Sequence, residues 1–301
     1  MTTDLTVGKP WKVLLKYILP LLGSALFQQL YTLADTIIAG KMSGSETALT
    51  AIGASTSIVN ILMAIALGAN AGCAVLCARY FGAKENTKVK SAVYTALIAF
   101  SVLSVVLLGV GLASCRPLLA AMGTPAEALE ESVVYLNIYY LGVPFLILYN
   151  LGTGIFSALG DSRTPFLFLV SSSVANVVLD YFMVQPWGVA GVAWATFIAQ
   201  GAACILTLVL VLRRIVRLSS AEKPRVFSGA LLKLVLLLAL PVVLQNSFIS
   251  VGNLFVQVRI NELAAEQGIG ITNGFTAGFK IIVFYTTCMS NCAAGLTNYV
   301  S

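Results

Sequence analysis

Within the run 171–184, SSSVANVVLDYFMV, an amide and an acid stand four residues apart, Asn176 and Asp180. On a helix that spacing puts both side chains on one face, about one turn apart. A second acid, Asp35, closes the stretch FQQLYTLAD. There Gln28, Tyr31 and Thr32 precede it by seven, four and three residues and share its side of a helix. Ser172, Ser173, Asn176 and Asp180 form a matching polar stripe. Two roles are open for such residues. Neighbouring amides and hydroxyls can satisfy each acid and hold two helices in register. Alternatively, two carboxylates without a fixed counter-charge in low-dielectric surroundings take up a proton or a cation reversibly, as a coupling-ion site must. No Lys or Arg lies at comparable depth in the second to sixth predicted helices, which favours the second role.

The surroundings of these residues are set by composition. Apolar residues make up 58% of the 301-residue chain, charged residues 10%, and the mean hydropathy is +0.92. A soluble domain carries roughly a quarter charged residues, so this chain cannot cover a water-facing surface. It reads instead as an all-α polytopic membrane protein, with the lipid bilayer as solvent. Acids at that depth cost about 2.5–3.5 kcal/mol on insertion scales, which makes function their default reading. The N-terminal apolar run follows Lys9, Lys12 and Lys16 and continues to Ala39. That is too long for a signal core, so it is expected to be retained as a first helix.

Long apolar runs separated by short polar breaks predict spanning helices near 11–39, 50–78, 91–121, 126–159, 165–184, 188–212, 228–262 and 268–301. With the N-terminus inside, the inner segments (the N-terminal tail, 79–90, 160–164 and 213–233) hold 14 of the 18 Lys and Arg. The outer loops hold three, Lys41, Arg116 and Arg259, beside Glu127, Glu130, Glu131, Glu262 and Glu266. This is a positive-inside pattern for a cell membrane protein with a cytoplasmic N-terminus. It also accounts for the net charge of +6 without nucleic acid as a partner.

The basic connection RRIVRLSSAEKPR follows the sixth helix and divides the chain. The expected organisation is a six-helix lobe over 1–212, a basic cytoplasmic linker over 213–227, and the start of a second, incomplete lobe over 228–301. Leu231-Leu232-Lys233, Pro241 and Gln245 echo Leu14-Leu15-Lys16, Pro20 and Gln28/Gln29, a weak parallel repeat. Gly68 and Gly72 form a GxxxG, read as close helix packing inside the first lobe. Cys73/Cys77 and Cys288/Cys292 are read as small apolar core residues. Lys280, in the eighth predicted helix, either projects into a cavity or pairs with Glu266. Pro20 and Pro241 permit bending of their helices. With no His, no phosphate loop and no nucleophile elbow, nothing points to an enzyme.

The segments LFQQLYTLADTIIAGKMSG, ALTAIGAS, ARYFGAKE, MGTPAE, GVPFLILYNLGTGIFSALGDSRTP, NVVLDYFMV and GVAGVAWATFIAQ occur in order along the chain. In these the sequence resembles the MATE multidrug and toxin extrusion transporters, closest to their bacterial NorM/DinF-like branch. The resemblance implies two six-helix lobes around a cleft. It implies exchange of H⁺ or Na⁺, with no other cofactor, for small organic and often cationic substrates by a monomer. It assigns a cation site to Asp35, Asn176, Asp180 and Thr196, and places Asn150 in the same pocket. With Gln28, Tyr31 and Thr32 of the polar stripe, Asn150 is expected to line the substrate cavity. Two departures stand out. The seventh helix has no acid in its apolar part, only Asn246, Asn253 and Gln257, and eight predicted helices fall short of twelve. The chain is therefore expected to be a fragment, or else a truncated, inactive remnant. A flippase for lipid-linked precursors is the remaining alternative; it would call for basic residues in the cavity, where the sequence offers acids.

Overall fold

The computed structural model describes residues 48–122, 124, 126–220, 222–267, 282–293 and 295–297, together with 11, 14, 15, 18–20, 22–24, 26–28, 30 and 38. Five long helices organise them: α1 (Ala48–Gly82), α2 (Asn86–Ala121), α3 (Ala126–Ala158), α4 (Arg163–Arg217) and α5 (Gly229–Gln267). Each contains a segment long and apolar enough to cross a membrane. The chain is thus a multi-pass helical membrane protein, with α1, α2, α3 and α5 matching the predicted second, third, fourth and seventh helices. The first and eighth predicted helices fall largely outside the described residues.

α4 joins two predicted helices in one element. At 1.5 Å per residue a straight helix of its 55 residues would run about 80 Å, far beyond a bilayer core of about 30 Å. It folds back instead at Gly188, whose φ of 55° and ψ of −132° are not helical. Glycine meets no Cβ penalty in that conformation. The two arms then close tightly enough that a Cβ on Gly191 would collide with the Met183 carbonyl. At the entry to α4 the Asp161 carboxylate accepts the Thr164 N–H (3.1 Å) and hydroxyl (2.8 Å), which caps the helix start.

Packing centres on α3, which lies against α1, α2 and α4, while α1 lies against α5. Leu76, Val93, Leu119, Leu136, Ile147, Leu151 and Ile215 belong to one buried apolar cluster that runs through α1–α4. One detail of this core and one of its surface invite tests. Thr207 of α4 is fully buried against Gly152 of α3, and its hydroxyl has no hydrogen-bond partner among the described residues. An unmet buried hydroxyl costs about 1–3 kcal/mol, so Thr207→Val should raise stability by about 1 kcal/mol in thermal unfolding of the micellar protein. At the opposite extreme, Arg116 of α2 and Glu130 of α3 pair at 2.6 Å with both side chains largely exposed. Such pairs contribute about 0–1 kcal/mol, and Arg116→Ala should move the unfolding midpoint by no more than that implies.

Gly68 and Gly72 do bring two helices close, but the partner is α5. A Cβ on Gly72 would stand 2.6 Å from the Val235 carbonyl and 2.9 Å from the Ala239 Cβ. The motif therefore fastens α1 to a helix that the sequence assigns to the other side of the linker. Cys73 and Cys77 lie in the core with their sulfurs 3.7 Å apart.

Candidate functional site

The first arm of α4 is polar inward and apolar outward. Ser173, Asn176, Asp180 and Val184 recur at intervals of three, four and four residues, and all are buried; Asn176 is 2% exposed and Asp180 fully enclosed. Val174, Val178, Tyr181 and Phe182 on the other side are exposed. This arrangement suits lipid outside and a polar interior. Asp180 is the only charged residue between Arg163 and Arg213, so no cation on its own element neutralises it.

The turn at Gly188 brings the second arm of α4 back beside this stripe. Asn176 Nδ2 donates to Thr196 Oγ1 at 3.3 Å, although twenty residues separate the two in sequence. Of the four predicted cation-site residues, the fold thus unites Asn176 and Thr196 directly and sets Asp180 one turn along the same buried face. Asp35, Tyr31, Thr32 and Lys280 lie outside the described residues. Gln28 is helical and exposed.

Asn150 is engaged elsewhere. Its side-chain amide donates to the Leu146 carbonyl of its own helix (2.9 Å). Its backbone carbonyl accepts from Asn70 Nδ2 of α1 (2.9 Å) and from the Thr153 hydroxyl (2.8 Å). Asn70 Nδ2 also reaches Thr153 Oγ1 at 3.0 Å. Asn150 therefore belongs to a polar knot between α1 and α3, and its hydrogen bonds do not run to the α4 pair. Asn70 was missed by sequence reasoning; the available signal was an amide in the apolar run ALGANAGCAV, midway along a spanning helix. Gly154 makes the knot possible, because a Cβ there would lie 2.7 Å from the Asn70 carbonyl oxygen.

A cavity of about 430 Å³ opens at the turn of α4, lined by Met183, Trp187, Ala190, Trp194 and Ile198. It is uncharged and shares no residue with the Asn176–Asp180 stripe. Among the described residues, no three His, Cys, Asp or Glu side chains gather as a metal site would require.

A helical bundle with a buried acid–amide stripe on a hairpin helix defines a polytopic membrane protein with an interior polar site. Residues 20–182, more than half of the chain, match the MatE family model, and the chain belongs to that family. It is 29% identical over 278 residues to the probable multidrug resistance protein YpnP of Bacillus subtilis (strain 168), covering 91% of this chain and 60% of that protein. To the probable multidrug resistance protein YoeA of the same organism it is 27% identical over 274 residues, covering 87% and 59%. A crystal structure of MATE in the straight conformation superposes with a TM-score of 0.88 at 26% identity, over 99% of this chain and 66% of that one. The chain thus spans about 60% of the length of these curated relatives.

Proposed function

We propose that this chain supplies the ion-coupling lobe of a multidrug efflux antiporter that exchanges H⁺ or Na⁺ for organic cations across the cytoplasmic membrane. The observation that carries the reading is Asp180, fully enclosed on the stripe that binds Asn176 to Thr196, in an element with no basic residue between Arg163 and Arg213. A carboxylate held there is costly unless something neutralises it, and a neutraliser that comes and goes makes it a switch. With Asp180 ionised, the interior attracts a cationic amphiphile. When a proton or Na⁺ occupies the carboxylate, that attraction is lost and the substrate leaves. Asp35 is the second acid of the scheme. Thr196 and Asn176 supply oxygens suited to a cation and a donor suited to the carboxylate.

The same reading takes 1–212 as the first lobe, 213–227 as the linker and 228–301 as the opening of the second lobe of a monomer. It places the N-terminus in the cytoplasm, because 14 of the 18 basic residues then face inward. The names of the relatives, multidrug resistance proteins, support the cargo class.

Exchange requires ion and substrate to bind antagonistically. The test is binding of tetraphenylphosphonium to the purified protein in nanodiscs, at several pH values and Na⁺ concentrations. The expected result is competitive displacement by H⁺ or by Na⁺. Independent binding of probe and ion would sink the antiport scheme. Proteoliposomes under separate proton and sodium gradients then decide between the two ions.

A further inference from the structure

The linker after α4 is the segment that the sequence offers as the joint between two lobes. Its hydrogen bonds point elsewhere. Asn86 Nδ2, in the first turn of α2, donates to the Ser219 carbonyl at 2.8 Å. One turn on, Lys90 is 92% buried and its Nζ donates to the Val216 carbonyl at 3.3 Å. Val216 sits in the last turn of α4, where carbonyls lack helical partners and the helix end is partly negative, so a lysine is well placed there. Further along, the linker is again bonded to α2. Arg225 N–H donates to the Ser91 hydroxyl at 2.9 Å, and Ser228 N–H to the Thr95 hydroxyl at 3.1 Å. The Ser228 bond supplies, from another helix, the acceptor that the N-cap N–H of a helix finds in a capping box, while the Arg225 bond ties down the coil just before it. α5 begins at the next residue, Gly229, with Leu232 N–H already bonded to the Ser228 carbonyl.

Apolar packing repeats the pattern independently. Val235 of α5 is fully buried in the same cluster as α1–α4, and Leu218 and Leu231 pack against that cluster. The Gly68/Gly72 face of α1 then receives Val235, Ala239 and Val243. Within 229–243 one narrow face of α5 is buried, at Val235 and Ala239, while Leu236, Leu237 and Leu240 are exposed. Among the described residues after Val243 none of α5 is buried, and Phe248, Ile249, Val251 and Phe255 are exposed.

We propose that residues 216–243 are a strap, not a hinge. The linker and the first half of α5 are fastened to α2 and α1 and move as one body with the first bundle. Any displacement of a second lobe starts beyond Val243. The partition of the chain by charge and the partition by mechanics therefore differ by about one half-helix. This holds whatever the protein carries.

Two measurements on the protein in nanodiscs test the strap. In the first, spin labels at Val102 and Leu237, both exposed, report the α2–α5 distance, with Val102 and Val134 as a reference pair inside the bundle. The distribution for Val102–Leu237 should be as narrow as the reference at both acid and alkaline pH. A distribution about twice as broad as the reference, or one that shifts while the reference stays fixed, overturns the proposal. In the second, hydrogen exchange reads the amides of 225–228. They should exchange at least about tenfold more slowly than an unstructured peptide. In Ser91→Ala/Thr95→Ala that protection should vanish while α3 keeps its own. The hydroxyl-preserving Ser91→Thr/Thr95→Ser should retain it. Exchange at the unstructured rate in the wild type, or protection unchanged in the double alanine variant, overturns the strap.

Discussion

Asp180→Asn is expected to weaken binding of tetraphenylphosphonium by about 30-fold, and to flatten what remains of its pH and Na⁺ dependence. The size follows from Coulomb's law. A unit charge about 8 Å from a bound cation, at an effective dielectric constant of about 20, contributes about 2 kcal/mol, which is about 30-fold in affinity. The direction follows from structure. Asn176 and Thr196 are neutral, and no other charged residue lies between Arg163 and Arg213, so removal of this carboxylate leaves no charged side chain in that stretch of α4. The substitution nearly preserves shape, and an amide can still hydrogen-bond inside the bundle, so folding should survive. Circular dichroism and the unfolding midpoint will separate loss of binding from loss of fold. A variant that folds and still binds the probe with wild-type affinity and wild-type pH dependence removes Asp180 from the coupling scheme.

Gly72→Val is the substitution with the largest expected effect on stability. Its Cβ alone would stand 2.6 Å from the backbone oxygen of Val235 and 3.0 Å from the backbone nitrogen of Ala239. Backbone cannot step aside as a flexible side chain can, so α5 has to move away from α1. Overpacking of this kind costs typically 1–3 kcal/mol, and the upper end applies where two helices are forced apart. Gly53→Ala provides the contrast in the same helix. Nothing lies within 4 Å of a Cβ there. Alanine is favoured over glycine in a helix interior by up to about 1 kcal/mol. Thermal unfolding in detergent should therefore move down for Gly72→Val and stay level or rise for Gly53→Ala. Equal effects from both would mean that α1 and α5 are not in close contact.

How much was legible beforehand depended on whether periodicity or partnership was at stake. Asn176 and Asp180 were readable as a pair because four residues fix their common face on any helix, whatever surrounds it. The α4 hairpin was readable as two helices, near 165–184 and 188–212, because the apolar run breaks between them; the structure puts the turn at Gly188. GxxxG announced a close approach at Gly68 and Gly72 but carried no information on the partner, and the partner proved to be α5. Asn70 went unnoticed for a similar reason. Its bonds run to a backbone carbonyl and a hydroxyl on α3, groups that every helix presents and no spacing singles out. Ser91 and Thr95 looked like ordinary small polar residues, and only the path of the linker gives them acceptor duties. Asp35 remains assigned by its stripe and by the family resemblance, and Tyr31 and Thr32 by the stripe alone.

The turn at Gly188 has a consequence for what changes this chain can absorb. A tip between two membrane helices is ordinarily where insertions are tolerated, because a longer loop leaves its flanking helices where they were. Here the second arm begins almost at once, with Gly191 pressed against the Met183 carbonyl. One residue added without slack would advance the second arm by about 1.5 Å and turn it by about 100°, carrying Thr196 away from Asn176. The tip is then a phase setter for the polar pair. Deletions and insertions at 185–190 should be as damaging as substitutions inside the bundle, while an insertion of several flexible residues, long enough to restore the phase, should be milder than an insertion of one.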